Sequence, residues 1–185
     1  MATFVVGGIE KIEYAPASAV GTVSSWKEIP NIAPDSVTFT RNQGTKSSIV
    51  PEDKDVAFIN FFTPAEGDTL VLAVLEQNPE LEQALFNVEY AAATTTTRFK
   101  AKEKIANLAF RITCRPMKDG RKAQITMFNT DTQTGYANNL TKTDAQRLAL
   151  TATLGTYRKT GDTEDFVYEK TFLTSAGAVI DSTAA

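Results

Sequence analysis

Two tight groups of carboxylates are the residues of this chain whose type and spacing come nearest to chemistry: Asp53 with Asp55, and Asp162 with Glu164 and Asp165. Paired carboxylates hydrolyse glycosidic bonds when they face each other across a cleft, one as acid and the other as base or nucleophile. Sequence neighbours in a turn do not meet that geometry, and Pro51 and Gly161 mark both groups as turns. Neither group has the calcium-loop spacing with its central glycine. The chain has no histidine, which removes Ser-His-Asp and Cys-His catalysis, His-containing zinc sites and the usual general base near neutral pH. No Gly-rich phosphate loop or dinucleotide fingerprint points to a cofactor. The single cysteine, Cys114, alternates with Leu108, Phe110 and Ile112, which reads as a core thiol and not a nucleophile. The expectation is a protein that is not an enzyme, with no catalytic, metal or cofactor-binding residues.

Charge offers a second kind of candidate. Residues 98–122 hold nine Lys or Arg and two acids, a local balance of +7, so the rest of the chain carries −10 to reach its net −3. Arg98, Lys100, Lys102 and Lys104 alternate with Phe99, Ala101, Glu103 and Ile105, which in a strand would set four cations on one face. Such a face either is solvated, guarding an edge against unwanted pairing, or seeks an acidic partner. A head-to-tail contact between copies would set it against acids around a predicted helix, with Glu76, Glu80, Glu82 and Glu89 as the candidates.

The elements that must position these groups are mostly strands. Period-two alternation predicts strands with one buried face at 108–115 and 148–154, near Phe166, Tyr168 and Phe172, and at Val37 with Phe39 and Val56 with Phe58. Asp119-Gly120 predicts a hairpin joining roughly 106–116 to 122–130. One helix is predicted after Asn78, with Pro79 in its first turn, Glu80 and Glu82 near its positive end, and Leu81, Ala84 and Leu85 on one apolar face. Thr94 to Thr97 read as the start of an exposed strand, and Trp26, the one tryptophan, as a core or edge plug. The chain length suits one domain. Residues 1–173 form that domain in this reading, and the small, polar stretch 174–185 a flexible tail. The start, MATFVVGGIE, has no secretory pattern and no apolar run approaches a bilayer span, so synthesis in the cytoplasm with no membrane anchor is expected.

Residues 41–55, RNQGTKSSIVPEDKD, form a long polar excursion with a short apolar break at Ile49 and Val50. Segments of this kind inside a compact domain are mobile or reserved for a partner.

The order of these features resembles the tail tube (major tail) proteins of long-tailed bacteriophages. The resemblance rests on GGIEKIEYAPAS, the VSSWKEIP strand, the excursion RNQGTKSSIVPEDKD, and TLVLAVLEQNPELEQALF as a strand leading into a short acidic-headed helix, followed by long paired strands. It covers nearly the whole chain as an arrangement of elements, without a diagnostic motif. It implies an all-β fold, a β-sandwich or barrel-like core with one short flanking α-helix. It also implies self-assembly into hexameric rings that stack into a virion tail, with other tail proteins as partners and DNA as non-specific cargo in the lumen. The excursion matches the place of the family's inter-subunit loop, which makes Arg41, Gln43, Lys46, Pro51, Glu52, Asp53, Lys54 and Asp55 candidate contact residues. A pI near 5.1 suits a conduit along which DNA slides without sticking. The alternatives are a neck, tail terminator or baseplate component, a nucleic-acid-binding β-barrel using the cations at 98–104, and, more distantly, a glycan-active enzyme.

Overall fold

The computed structural model describes residues 7–53, 55–56, 58–63, 66–76, 78–137 and 146–180. In chain order the elements are β1 (Ile9–Pro16), β2 (Lys27–Glu28), β3 (Thr38–Thr40), β4 (Thr45–Ile49), β5 (Ile59–Thr63), β6 (Thr69–Val74), α1 (Pro79–Leu85), β7 (Val88–Ala91), β8 (Thr96–Phe99), β9 (Ala106–Cys114), β10 (Lys122–Ala137), β11 (Arg147–Leu154) and β12 (Glu169–Leu173). The protein is all-β with one short helix, as the alternation predicts.

The centre of the fold is the β9–β10 hairpin. Gly120 adopts φ +79° and donates its N–H to the Met117 carbonyl, while the Asp119 carboxylate accepts from the Arg121 N–H. The turn fixes the register, Thr113 opposite Gln124 and Phe110 opposite Met127. Between Met127 and Thr130 the register slips, a bulge that bends β10. On its other edge the bent strand takes β12 along Lys122–Thr126 and β11 along Thr130–Ala137.

The main sheet runs β2-β1-β9-β10-β11-β6-β3, all neighbours antiparallel. Its two sides are drawn together by residues 27–33. Ile29 donates to the Ile12 carbonyl of β1, and a few residues on Ile32 bridges Val74 while Ala33 donates to the Ala73 carbonyl of β6. Asn31, at φ 50°, makes the corner between them. The sheet therefore curls around one core, barrel-like, whose fully enclosed members include Ile12, Leu70, Leu72, Phe110, Met127, Leu148 and Leu150. Leu148, Leu150, Ala152 and Leu154 all point inward, so the alternation at 148–154 is a strand as expected.

The helix also forms as predicted. Asn78 Oδ1 accepts from the Glu80 N–H at 2.8 Å, Pro79 begins the first turn, and Leu81 and Leu85 are buried. Glu82 departs from expectation, being only 6% exposed. The Tyr136 hydroxyl of β10 donates to its Oε1 at 2.7 Å. Burial, then this hydrogen bond, pushes the Tyr136 phenol well above its ordinary range, so it stays a donor and pins the helix to the sheet.

Five further expectations change. The alternating cations at 98–104 do not share a strand face, because β8 ends at Phe99 and residues 100–105 form an irregular connection. Val56 and Phe58 precede their strand and are 73% and 71% exposed, so no face there is buried. Phe166 and Tyr168 lie before β12: Phe166 bridges Tyr157, and Tyr168 packs edge-on against Phe39 at 5.1 Å. The stretch predicted as a flexible tail is folded back through 180, with Thr174 donating to the Ala178 carbonyl and Ile180 to that of Phe172. Thr94 and Thr95 form a turn, Thr95 at φ 51°, and the strand begins at Thr96. Trp26 is a half-buried edge plug, with the Arg111 guanidinium 4.4 Å from its ring centre. Cys114 is a buried thiol, as expected, and burial raises its pKa.

Candidate assembly interface

The excursion at 41–55 is the first strand of a two-stranded ribbon, and its partner follows the turn. Thr45 to Ile49 pair with Thr63 to Ile59 in strict antiparallel register. The base is held to the barrel. The Asn42 N–H donates to Asp68 Oδ1 at 2.8 Å, Asn42 Nδ2 donates to the Gly67 carbonyl at 2.9 Å, and Arg41 lies 5.9 Å from the Tyr168 ring centre. Beyond that base, every residue of both strands is exposed, and the two strands touch little besides each other. Gly44 stands where a Cβ would fall 2.3 Å from the Phe62 ring and 2.5 Å from the Thr63 carbonyl oxygen. Only glycine fits there, and its bare backbone seats the ring.

The distribution of side chains on the ribbon decides what it can do. Alternation places Ile49, Ile59 and Phe61 on one face and Phe62 on the other, with Lys46, Ser48 and Asn60. Val50, Val56 and Phe58 add apolar surface towards the tip, and Phe62 is 70% exposed. An amphipathic ribbon would lay its apolar face on the barrel. With large apolar groups on both faces, one face stays in water whichever way the ribbon lies. At 150–250 Å² for a fully buried aromatic, the three phenylalanines and four aliphatic side chains together expose on the order of 600 Å², divided between the two faces and the tip. A lone two-stranded ribbon is at best marginally stable in water, so this one calls for another surface against it.

The excursion candidates are thus brought together at one projecting element. Arg41 and Gln43 lie at its base, Lys46 on β4, and Pro51, Glu52, Asp53 and Asp55 around its turn; Lys54 lies outside the described residues. The apolar residues that give the ribbon its character escape a reading of 41–55 because five of the seven lie beyond residue 55. The adjacent pair Phe61-Phe62 was the available signal: neighbours in a strand face opposite ways, so both faces need cover.

The charged candidates are not brought together. Arg98 sits opposite Glu89 on the β7–β8 pair, so one member of each proposed face neighbours the other within the same chain. Lys104 Nζ donates to the Ala84 carbonyl at 3.3 Å near the C-terminal end of α1, while Lys100 and Lys102 are held through their backbones to Asn87. Among the acids, Glu80 pairs with Lys27, Glu76 accepts from Asn31, and Glu82 is buried under Tyr136. The other cations of the basic stretch are largely engaged too: Arg111 with Glu13 at 2.8 Å, Lys122 with Glu10 at 2.7 Å, and Arg121 with Asp119. Much of the charge in the basic stretch beyond residue 105 is thus paired within the chain, while Lys100 and Lys102 lie on an irregular connection.

Asp165 is paired with Arg158, and Asp162 accepts from the Lys159 N–H, both within one turn. Among the described residues, no group of three or more His, Cys, Asp or Glu could hold a metal ion, and no helix is long and apolar enough to cross a membrane. No protein-family model matches the chain, and no curated protein matches it in sequence.

Proposed function

We propose that this chain is a structural subunit that assembles with copies of itself through the β4–β5 ribbon. In this reading the assembly is a stack of rings, the tail tube of a long-tailed phage, through which DNA leaves the particle. The observation that carries the proposal is the ribbon, anchored at its base, with a large exposed apolar side chain on each face. The barrel offers a packed body, and the ribbon two strands whose every residue is exposed. Two further points favour the tube over another assembly. The ribbon occupies the place in the chain where tail tube proteins carry their inter-subunit loop, and the net charge of −3 disfavours adhesion of DNA to the wall.

Negative-stain microscopy and sedimentation of the purified chain test this directly. Rings or tubes that grow with concentration are expected, in the absence of nucleic acid. A uniform monomer at every concentration overturns the proposal. Single closed rings that never stack would reassign the chain to a neck or terminator role in the same particle.

A further inference from the structure

The curled sheet is not closed along its whole length. Its strand order ends at β2 on one side and at β3 on the other, and residues 29–33 bridge the two sides at one level only, from Ile12 of β1 to Ala73 and Val74 of β6. Ahead of Ile12, the edge of β1 turned away from β9 has no strand against it among the described residues, since β2 pairs with Glu13 and Tyr14. β3 likewise has β6 on one edge and no strand on the other. Between these edges lies a groove of about 850 Å³. Ile9, Ile32, Val37, Phe39, Ile112 and Ile125 lie along it, all but Ile112 only half-buried.

We propose that this groove is a slot for an extended segment of a partner protein, its apolar side chains facing in and its basic ones facing out. Three observations select this chemistry. An unpaired strand edge offers N–H and C=O groups at the spacing an incoming strand matches, and strand addition of this kind takes affinity from the main chain and specificity from sites for alternate side chains. The lining mixes an apolar floor with polar groups at its margin, which suits the period-two alternation of a strand; an apolar ligand would leave the backbone edges unpaired.

Charge sets the sign of the partner. The cations of the lining are already engaged, Lys11 by Glu13 and Arg115 by the Ile9 carbonyl, and Glu10 is paired with Lys122. Glu28 and Asp35 are exposed at the margin, with no ion pair or side-chain hydrogen bond among the described residues. The groove therefore presents two uncommitted carboxylates to whatever enters it, and lysine or arginine on the outer face of an incoming strand would answer them. The chain's own projecting ribbon is a poor match, because its turn carries Glu52, Asp53 and Asp55 and would set acids against acids. The slot is separate from that ribbon and does not depend on how copies assemble.

Binding of labelled synthetic peptides to the full chain, followed by fluorescence anisotropy, tests the slot. A hexapeptide alternating lysine with isoleucine should bind, and its counterpart alternating glutamate with isoleucine should bind at least about 10-fold more weakly. N-methylation of every other residue, which removes backbone donors and keeps the side chains, should weaken the lysine peptide about 10-fold. Glu28→Lys with Asp35→Lys should do the same while moving the melting temperature by no more than about 2 °C, both side chains being exposed. Hydrogen exchange at residues 9–11 should slow when the lysine peptide is added. Absence of binding, equal binding of the two peptides or indifference to N-methylation overturns the proposal. So does protection confined to β4–β5, which would make the ribbon the site, or protection at residues 9–11 that appears on self-association without peptide, which would give the groove to a second copy.

Discussion

The two small ribbons of this protein have the same secondary structure and opposite fates. β7–β8 folds back on the body: Phe99 meets Phe86 at 5.6 Å and Tyr136 at 6.1 Å, Phe86 stacks on Tyr136, and Glu89 faces Arg98 across the strands. β4–β5 has aromatic residues on both faces, and every residue of its two strands is exposed. With both its aromatics, Tyr90 and Phe99, on one face, β7–β8 can pack on the body, which supplies the support a two-stranded ribbon needs. Aromatics on both faces leave it available to another molecule. What distinguishes the packed ribbon from the exposed one is therefore the sidedness of the side chains and not their hydrophobicity.

The comparison is open to direct attack. The largest effect is expected at the anchor of the docked ribbon. Tyr136→Ala removes the ring under Phe86 and Phe99 and leaves the Glu82 carboxylate buried without its donor, and should cost about 3–4 kcal/mol in urea denaturation. Next comes the free ribbon. Phe58→Ser with Phe62→Ser should leave the melting temperature within about 2 °C, since neither side chain is in the core, yet raise the assembly threshold roughly 100-fold, about 2.7 kcal/mol. A large loss of stability in that double variant would show that the ribbon packs on its own barrel after all.

A smaller effect is expected at the clamp on β1. Burial opposes ionisation of Glu13, but hydrogen bonds from Arg111 and Lys11 outweigh it and hold the carboxyl below its ordinary value of 4.5. A carboxyl with a depressed folded-state pKa stabilises the fold above its ordinary value, and that contribution fades as pH falls through the lowered one. Arg111→Ala should therefore cost about 2 kcal/mol at pH 7. The gap between variant and wild type should narrow steadily below about pH 4.5, as read from urea midpoints across pH. The smallest effect is reserved for charge reversal at Lys100 and Lys102. With no shared strand face, Lys100→Glu with Lys102→Glu should shift stability by no more than about 0.5 kcal/mol and the assembly threshold by less than about 3-fold, about 0.65 kcal/mol. A strong block of assembly there would restore electrostatics to the interface.

Features set by neighbouring residues were legible in the sequence. Asp119-Gly120 determines its own hairpin, and Asn78-Pro79 its own helix start, through backbone preferences acting over a few residues. The inward face of β11 was readable because Leu148, Leu150, Ala152 and Leu154 alternate without interruption. Features set by distant partners were not. Glu82 looks like a solvent-facing anion on a helix until Tyr136 is known to lie above it. The alternation from Arg98 to Lys104 imitates a strand, yet β7 is too short to pair with its continuation beyond Phe99. At the candidate interface the polar half, β4, was visible as an excursion, whereas the apolar half lies across the turn in β5 and acquires meaning only once the two strands are in register.

The pairing of β1 with β9 also has a consequence for the order of events during synthesis. Ile9 must wait for Cys114, so the barrel cannot close before β9 has left the ribosome. The ribbon at 45–63 emerges well before then. A nascent chain therefore displays its exposed apolar ribbon before its barrel can close. Long-range closure of this kind is slow compared with hairpin formation, so the ribbon meets water before the core to which its base is anchored has formed.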